Sequence, residues 1–198
     1  MKQRTRCMDK KVHQYVEDQY KENFGDPEFS MRMHGGKDPR FPEVLDLYFW
    51  KPTEENELTT IATNGISQLP FHGVDHRCEL HMYIAGELNE SEIQPLTEFI
   101  ANFAINPFVA NEHFEEFQSF GLTGSIPSFP SCSALYLSGP FMEEGWDVMM
   151  YQEFPIHIYN MVPLTRDEHT ILTANPESGP EKLITYFQSN DVKIFERR

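Results

Sequence analysis

The sequence has few cysteines, no long apolar run and a shortage of basic residues, and each shortage excludes a class of protein. Cys7, Cys78 and Cys132 are odd in number, widely spaced and lack a Cys-x-x-Cys pair. This argues against a zinc cluster or a disulfide framework and favours reduced thiols. No apolar stretch approaches the roughly 20 residues of a spanning helix, and no apolar signal core follows the basic N-terminus. We therefore expect a soluble, cytoplasmic protein.

The shortage of basic residues leaves a strongly negative chain. Acidic residues outnumber basic ones by 31 to 16, which gives a formal net charge of −15. Nucleic-acid binders normally present a basic face, so this class is disfavoured. A negative protein attracts basic partners, although the charge also has the simpler effect of keeping a protein soluble.

Motifs of catalysis and phosphate binding are also missing. The Gly35-Gly36 pair is too short for a phosphate loop and lacks the Lys-Ser/Thr that follows one. Ser67 is not in a Gly-x-Ser-x-Gly elbow. Cys132 has no histidine near it in sequence, although His157 is a possible spatial partner. We interpret Cys132 as a small buried residue that opens a strand, and we expect no catalytic residue and no cofactor.

What is present is a regular pattern of helices and strands in the first half of the chain. Apolar spacing predicts a helix at about residues 9–24 that stops at Gly25. Strands are predicted next. The strand at residues 43–50 is expected to be half buried. A second helix should begin near Glu90, capped by Asn89 and Glu92, although Pro95 suggests a kink or a later start. The other strands predicted in this half are 29–34, 58–63 and 78–84.

The second half adds apolar strands, two further helices and a short tail. Capping boxes are predicted at Thr165 with Glu168 and at Ser178 with Glu181. The order is helix, strands, helix, strands, two helices, which predicts an α+β fold. We expect a mixed, largely antiparallel sheet covered by helices, in a single domain over residues 1–198. The strands in this half are predicted at 132–138 and 154–164, with a last short strand at 191–195.

Four short patterns together resemble the Suppressor of fused (SUFU) domain family. They are a helix ending in Phe-Gly-x-Pro, a Thr-x-Gly-hydrophobic-Ser turn, a Glu-Leu strand, and an apolar strand leading into Pro-Leu-Thr-x-x-Glu. The resemblance covers about residues 12–190, and the length is similar to that of compact, single-domain bacterial relatives. The matching positions are 24–27, 63–67, 79–80 and 162–168.

The resemblance implies a binding protein without catalysis. Eukaryotic members of the family sequester transcription factors, and many bacterial members are regarded as immunity proteins that neutralise polymorphic toxins. The resemblance also implies that the loop from Ser67 to Arg77 helps to hold a partner peptide. We therefore expect a protein partner, such as a basic toxin domain. A regulatory module that sequesters another protein remains an alternative.

Two residues of this loop are candidates for partner contacts. Phe71 is an aromatic residue in a polar loop, and exposed aromatic residues dominate binding hot spots. Asp75 is suited to meet a basic group. For Phe71, simple packing in the core is an equally good interpretation.

The same loop suggests a metal site as an alternative. His72, Asp75 and His76 are close in sequence, and a metal-dependent enzyme would use them as ligands. A His-x-x-x-His pair binds zinc well on a helix, but Pro70 and Gly73 interrupt any helix here. We interpret the histidines as ordinary residues of an exposed loop.

An acidic segment after the second helix is a further candidate for partner binding. Glu112, Glu115 and Glu116 have the spacing of one helix face, which would attract a basic toxin. Phe114 and Phe117 would then lie together on another, inward face. The alternative is a solvated amphipathic face with no partner.

Overall fold

The computed structural model describes residues 10–35, 38–71, 73–74, 76–139, 146–175 and 177–198. These residues form four α-helices, eight strands and a one-turn 3-10 helix at Ile66–Gln68. The helices are α1 (Lys10–Phe24), α2 (Glu90–Ala110), α3 (Arg166–Thr173) and α4 (Gly179–Ser189). The strands are β1 (Phe29–His34), β2 (Val44–Trp50), β3 (Leu58–Asn64), β4 (Arg77–Ala85), β5 (Ser119–Gly121), β6 (Cys132–Ser138), β7 (Val148–Tyr151) and β8 (Phe154–Thr165).

The strands form one mixed sheet in the order β1-β2-β3-β4-β8-β6-β5. Strands β4 and β8 are parallel, and the other pairs are antiparallel. The first residues of β8 pair with β7 and its last residues with β6. The predicted α+β fold, with a mixed and largely antiparallel sheet, is confirmed. No helix among the described residues is long and apolar enough to cross a membrane.

Helices cover both faces of the sheet, so the core has two layers. On one face, α2 packs on alternate residues of the central strands, such as Leu47, Ile61 and Leu80. On the other face, α1 covers one part, and α3 and α4 cover the part near β6 and the end of β8. The half-buried character expected for β2 is therefore wrong. All of β2 after Val44 is buried, because each face of the strand meets a helix layer.

The predicted helix boundaries are largely confirmed. Helix α1 ends where the Gly25 N–H bonds to the Lys21 carbonyl, 3.0 Å away. Helix α2 begins at Glu90 with the predicted capping box, and Pro95 lies inside it without delaying its start. The capping box of Thr165 and Glu168 is also present at the start of α3.

Two predictions for the C-terminal part are wrong. The side chain of Ser178 makes no capping hydrogen bond, because its backbone (φ −116°, ψ 0°) is not extended as a capping residue normally is. Residues 191–195 form turns rather than a strand. The tail still contacts the sheet, since the Phe195 carbonyl accepts a hydrogen bond from Ala85 N at 2.8 Å.

The interpretation of Cys132 as a buried residue that opens a strand is confirmed. It begins β6, is 0% exposed and pairs with Thr165 of β8. Burial raises the pKa of its thiol to about 11. His157 lies eight residues earlier on β8 than Thr165, which is roughly 25 Å along a strand. The two side chains are therefore too far apart to act as a catalytic pair.

A buried carboxylate ties α1 to the edge of the sheet. Asp46 is 2% exposed and accepts two hydrogen bonds from the Arg32 guanidinium, at 2.8 and 2.7 Å. His13 of α1 places Nε2 3.0 Å from the same carboxylate. Burial tends to raise the pKa of Asp46, but the bonds from Arg32 and His13 outweigh burial and lower it to about 2.

We expect Asp46 to stabilise the fold at neutral pH and to lose this effect in acid. The pKa is lowered on folding, so the contribution is present above about pH 4 and disappears as the pH falls through about 2. A shift of this size corresponds to about 2 kcal/mol. At pH 7, Asp46→Asn should lower the free energy of unfolding by at least this much, as measured by urea unfolding.

The exposed Asp26→Asn is the matched control and should change the free energy of unfolding by less than about 0.5 kcal/mol. The decrease in the free energy of unfolding caused by Asp46→Asn should become steadily smaller between pH 4 and pH 2. A cost that does not depend on pH would contradict this account of Asp46.

Candidate functional site

The Suppressor of fused-like turn is held together by one buried carboxylate. Glu79 on β4 is 0% exposed. One of its oxygens accepts hydrogen bonds from Gly65 N, Ser67 N and Ser67 Oγ, at 2.9, 3.0 and 2.6 Å. Its other oxygen accepts a bond from Thr63 Oγ1 at 2.7 Å. Thus the Thr-x-Gly-hydrophobic-Ser pattern and the Glu of the Glu-Leu strand form a single hydrogen-bond network.

Glycine is required at position 65 for two reasons. Its φ of +149° lies in a region that side chains disfavour, and a Cβ there would lie 2.3 Å from the Val44 carbonyl oxygen. The turn is therefore pressed against the start of β2. Gln68 strengthens this contact by donating to the same carbonyl at 2.8 Å.

Phe71 packs in the core rather than facing solvent. It is 3% exposed, and its ring lies 5.2 Å from that of Phe108 and 5.8 Å from that of Phe114. Of the two interpretations of Phe71, core packing is the one that the structure shows. Asp75 and His72 lie outside the described residues.

His76 connects this loop to the acidic segment. Its Nε2 lies 2.8 Å from the Phe114 carbonyl oxygen, and its ring contacts those of His113 and His157, at centroid distances of 5.7 and 5.8 Å. The expectation of an exposed histidine is wrong for His76, which is half-buried. Because Phe114 also contacts Phe71, the loop and the segment pack as one unit.

The acidic segment is not helical, contrary to the prediction. After Asn111, which adopts a left-handed conformation (φ 58°), residues 112–118 form irregular backbone and a turn. Glu112, Glu115 and Glu116 are all exposed, but they do not share a helix face.

The two phenylalanines of this segment point in different directions. Phe114 is 0% exposed, whereas Phe117 is 55% exposed. Phe117 has a φ of 67° and stacks on Tyr136, with ring centroids 6.4 Å apart. The prediction that both rings face inward is therefore wrong. The segment presents three carboxylates and one aromatic ring to solvent.

The histidines of this region differ in their surroundings. Burial and the neighbouring His76 lower the pKa of His157, while Asp147 and Glu116 oppose this. His81, on the opposite face of the sheet, is 0% exposed, and burial lowers its pKa to about 3. His81 is thus a neutral core residue, whereas His157 lies near the surface among charged groups.

The pattern of a metal site is not found within the described residues. No group of three or more histidine, cysteine, aspartate or glutamate side chains there is arranged to hold a metal ion. His76 Nε2 is already bonded to a carbonyl oxygen.

Sequence reasoning assigned no role in this region to His113 or His157, whose rings lie 5.7 and 5.8 Å from that of His76. It also did not single out Met150. Met150 is 55% exposed on β7. The signal for His157 was its position in a strand at alternate spacing with Tyr159. Nothing local in sequence indicated that His157 meets His76, because His157 lies on β8 and His76 directly before β4.

The fold and this surface define an α+β domain in which an acidic loop surface lies on a sheet covered from both sides. Residues 42–198 match the family model described as Suppressor of fused protein (SUFU). The chain therefore belongs to the Suppressor of fused family. No curated protein sequence matches it.

Three solved structures share this fold. A Suppressor of fused homolog from Neisseria gonorrhoeae FA 1090 is 15% identical, with a TM-score of 0.67, and the match covers 95% of this chain and 94% of that one. The structure of the Sufu-Fu complex matches at 13% identity and a TM-score of 0.57, over 87% and 82% of the chains. Drosophila Suppressor of Fused matches at 12% identity and a TM-score of 0.51, over 81% of this chain and 43% of that chain.

Removing the Glu79 carboxylate should destabilise the fold strongly. Glu79→Ala leaves two backbone N–H groups and two hydroxyls without their buried acceptor, at about 1–3 kcal/mol for each lost partner. We expect a total loss of about 4 kcal/mol or failure to fold, as measured by urea unfolding. The exposed Glu57→Ala is the control and should be nearly neutral.

Milder variants test the network even if Glu79→Ala does not fold. Ser67→Ala should cost about 1–2 kcal/mol, and Glu79→Gln should be tolerated better than Glu79→Ala, since its amide oxygen can still accept from Gly65 and Ser67. The costs of Glu79→Gln and Ser67→Ala should be non-additive, because the two residues share a hydrogen bond. Strictly additive costs would show that the two side chains are not coupled.

Proposed function

We propose that this chain is a non-catalytic protein-binding domain that neutralises a toxin by stoichiometric binding in the cytoplasm. In this proposal the domain comprises residues 1–198. The observation that carries the proposal is the Suppressor of fused fold, which takes up 95% of the chain in the match to the Neisseria homolog. One of the matched structures is that of the Sufu-Fu complex.

The charge of the chain supports a basic partner. A net charge of −15 speeds the encounter with a positive protein and makes the association rate sensitive to salt. Charge alone does not hold a complex together, since affinity depends on a few well-packed contacts. A contact surface therefore needs exposed apolar atoms among its acidic groups.

The acidic segment meets this requirement. Glu112, Glu115 and Glu116 are exposed beside the Phe117 ring, which is 55% exposed. We propose that these carboxylates contact basic groups of the partner and that Phe117 supplies the aromatic contact.

The loop before β4 has a supporting role in this proposal. Phe71 lies behind the surface and holds Phe114 in place, so it positions the segment rather than touching the partner. Asp75 belongs to the same loop, and we propose that it adds a further acidic contact.

The two alternative functions differ in what supports them. A regulatory module that sequesters another protein would use the same surface, so identification of the partner decides between it and a toxin-neutralising role. For a metal-dependent enzyme at His72, Asp75 and His76, no specific contact of the described residues gives support. Metal analysis of protein purified without a tag tests that alternative.

Removing the charge of the acidic segment should slow partner association. The triple variant with Glu112, Glu115 and Glu116 changed to Gln should bind a basic toxin domain encoded beside this chain about tenfold more slowly at low salt. The difference should shrink at high salt, because salt screens exposed charges. Stopped-flow kinetics at several salt concentrations measures both effects.

A second triple variant separates position from net charge. Changing Glu54, Glu55 and Glu57 to Gln removes the same charge from the exposed turn between β2 and β3. It should slow association much less. Equal slowing by both variants would contradict a specific role of the acidic segment. The proposed function would be overturned if no toxin encoded beside this chain bound it and if the chain failed to rescue cells from those toxins.

A further inference from the structure

Within the described residues, no helix covers part of one sheet face at the junction of β7 and β8. Val148 and Met150 of β7 lie directly opposite His157 and Pro155 of β8. Residues that lie opposite each other share a face. Met149 and Ile156, on the other face, are buried under α1.

The core layer beneath α2 stops short of this area. Within the described residues, that layer includes Tyr159 of β8 but none of the four side chains that share a face at the junction. Met150 is 55% exposed, and Val148, Pro155 and His157 are half-buried. An apolar patch on a sheet face is thus open to solvent.

The patch is continuous with the acidic segment. Glu116 and Asp147 act electrostatically on His157, since their negative charges tend to raise its pKa. His76 contacts both His157 and His113, and His113 lies 2.6 Å from the carboxylate of Glu115. The chain of contacts thus runs from His157, on the same face as Met150, through His76 and His113 to Glu115.

We propose that this face of β7 and β8 is a docking surface for a partner segment in which arginine or lysine side chains adjoin an apolar side chain. The apolar side chain packs on Met150 and Val148, and the basic groups meet Glu116 and Asp147. Methionine suits such a contact, because its flexible side chain adapts to different shapes. The inference rests on the proposed function and names the chemistry of its partner.

Synthetic peptides test the surface without a known partner. The probe is a peptide of Ser-Arg-Leu repeats, compared with Ser-Glu-Leu repeats of equal length. With methyl-labelled methionine, the Met150 signal should shift on addition of the arginine peptide, while those of the buried Met82 and Met161 should stay. The glutamate peptide should have no effect, and equal binding of both peptides would overturn the proposal.

Matched variants separate this surface from the general negative charge. Met150→Gln should weaken binding of the arginine peptide about fivefold or more, whereas Ile184→Gln, at a residue that is 54% exposed elsewhere, should leave it unchanged. Glu116→Gln should weaken binding more than Glu54→Gln, which removes the same charge at the far turn. Equal effects within either pair would overturn the proposal.

Peptide binding at Met150 without any toxin binding would overturn the proposed function alone, and toxin binding that is insensitive to Met150→Gln would overturn this inference alone.

Discussion

The Glu79 carboxylate is the constraint on which the candidate surface depends. A carboxylate removed from water must receive hydrogen bonds from the protein, or its burial becomes very costly. Thr63, Gly65 and Ser67 supply these bonds, so the chain leaving β3 can follow only one course. The sequence pattern of this turn is therefore explained by the needs of one side chain on the next strand.

The effect of this network extends from the turn to the surface. The fixed turn delivers Phe71 into the core, where it meets Phe114. The Phe114 carbonyl is in turn held by His76, which lies just before β4 and close to Glu79 in sequence. A buried polar network on one side and an aromatic contact on the other thus position an acidic segment that has no regular backbone of its own.

The accuracy of the sequence-based predictions follows the range of the interactions involved. The capping boxes at Asn89 and Thr165 and the strands at 29–34, 58–63, 78–84, 132–138 and 154–164 arise from neighbouring residues, and they were predicted correctly. The spacing of the glutamates at residues 112–116 matches one face of a helix. However, the left-handed backbone at Asn111 ends α2 before this segment begins. The contact of His76 with His157 depends on the parallel pairing of β4 with β8, which no local pattern encodes.

The burial of Phe71 changes where recognition can occur. A side chain that is 3% exposed cannot anchor a partner without unpacking the core, so the loop before β4 acts mainly as a support. Phe117 and Met150 are instead exposed apolar side chains, and Phe117 directly follows Glu115 and Glu116 in the acidic segment. Net charge attracts any basic molecule from a distance, but it cannot select one. In the proposed function, selectivity therefore depends on where these two apolar side chains lie relative to the acidic groups.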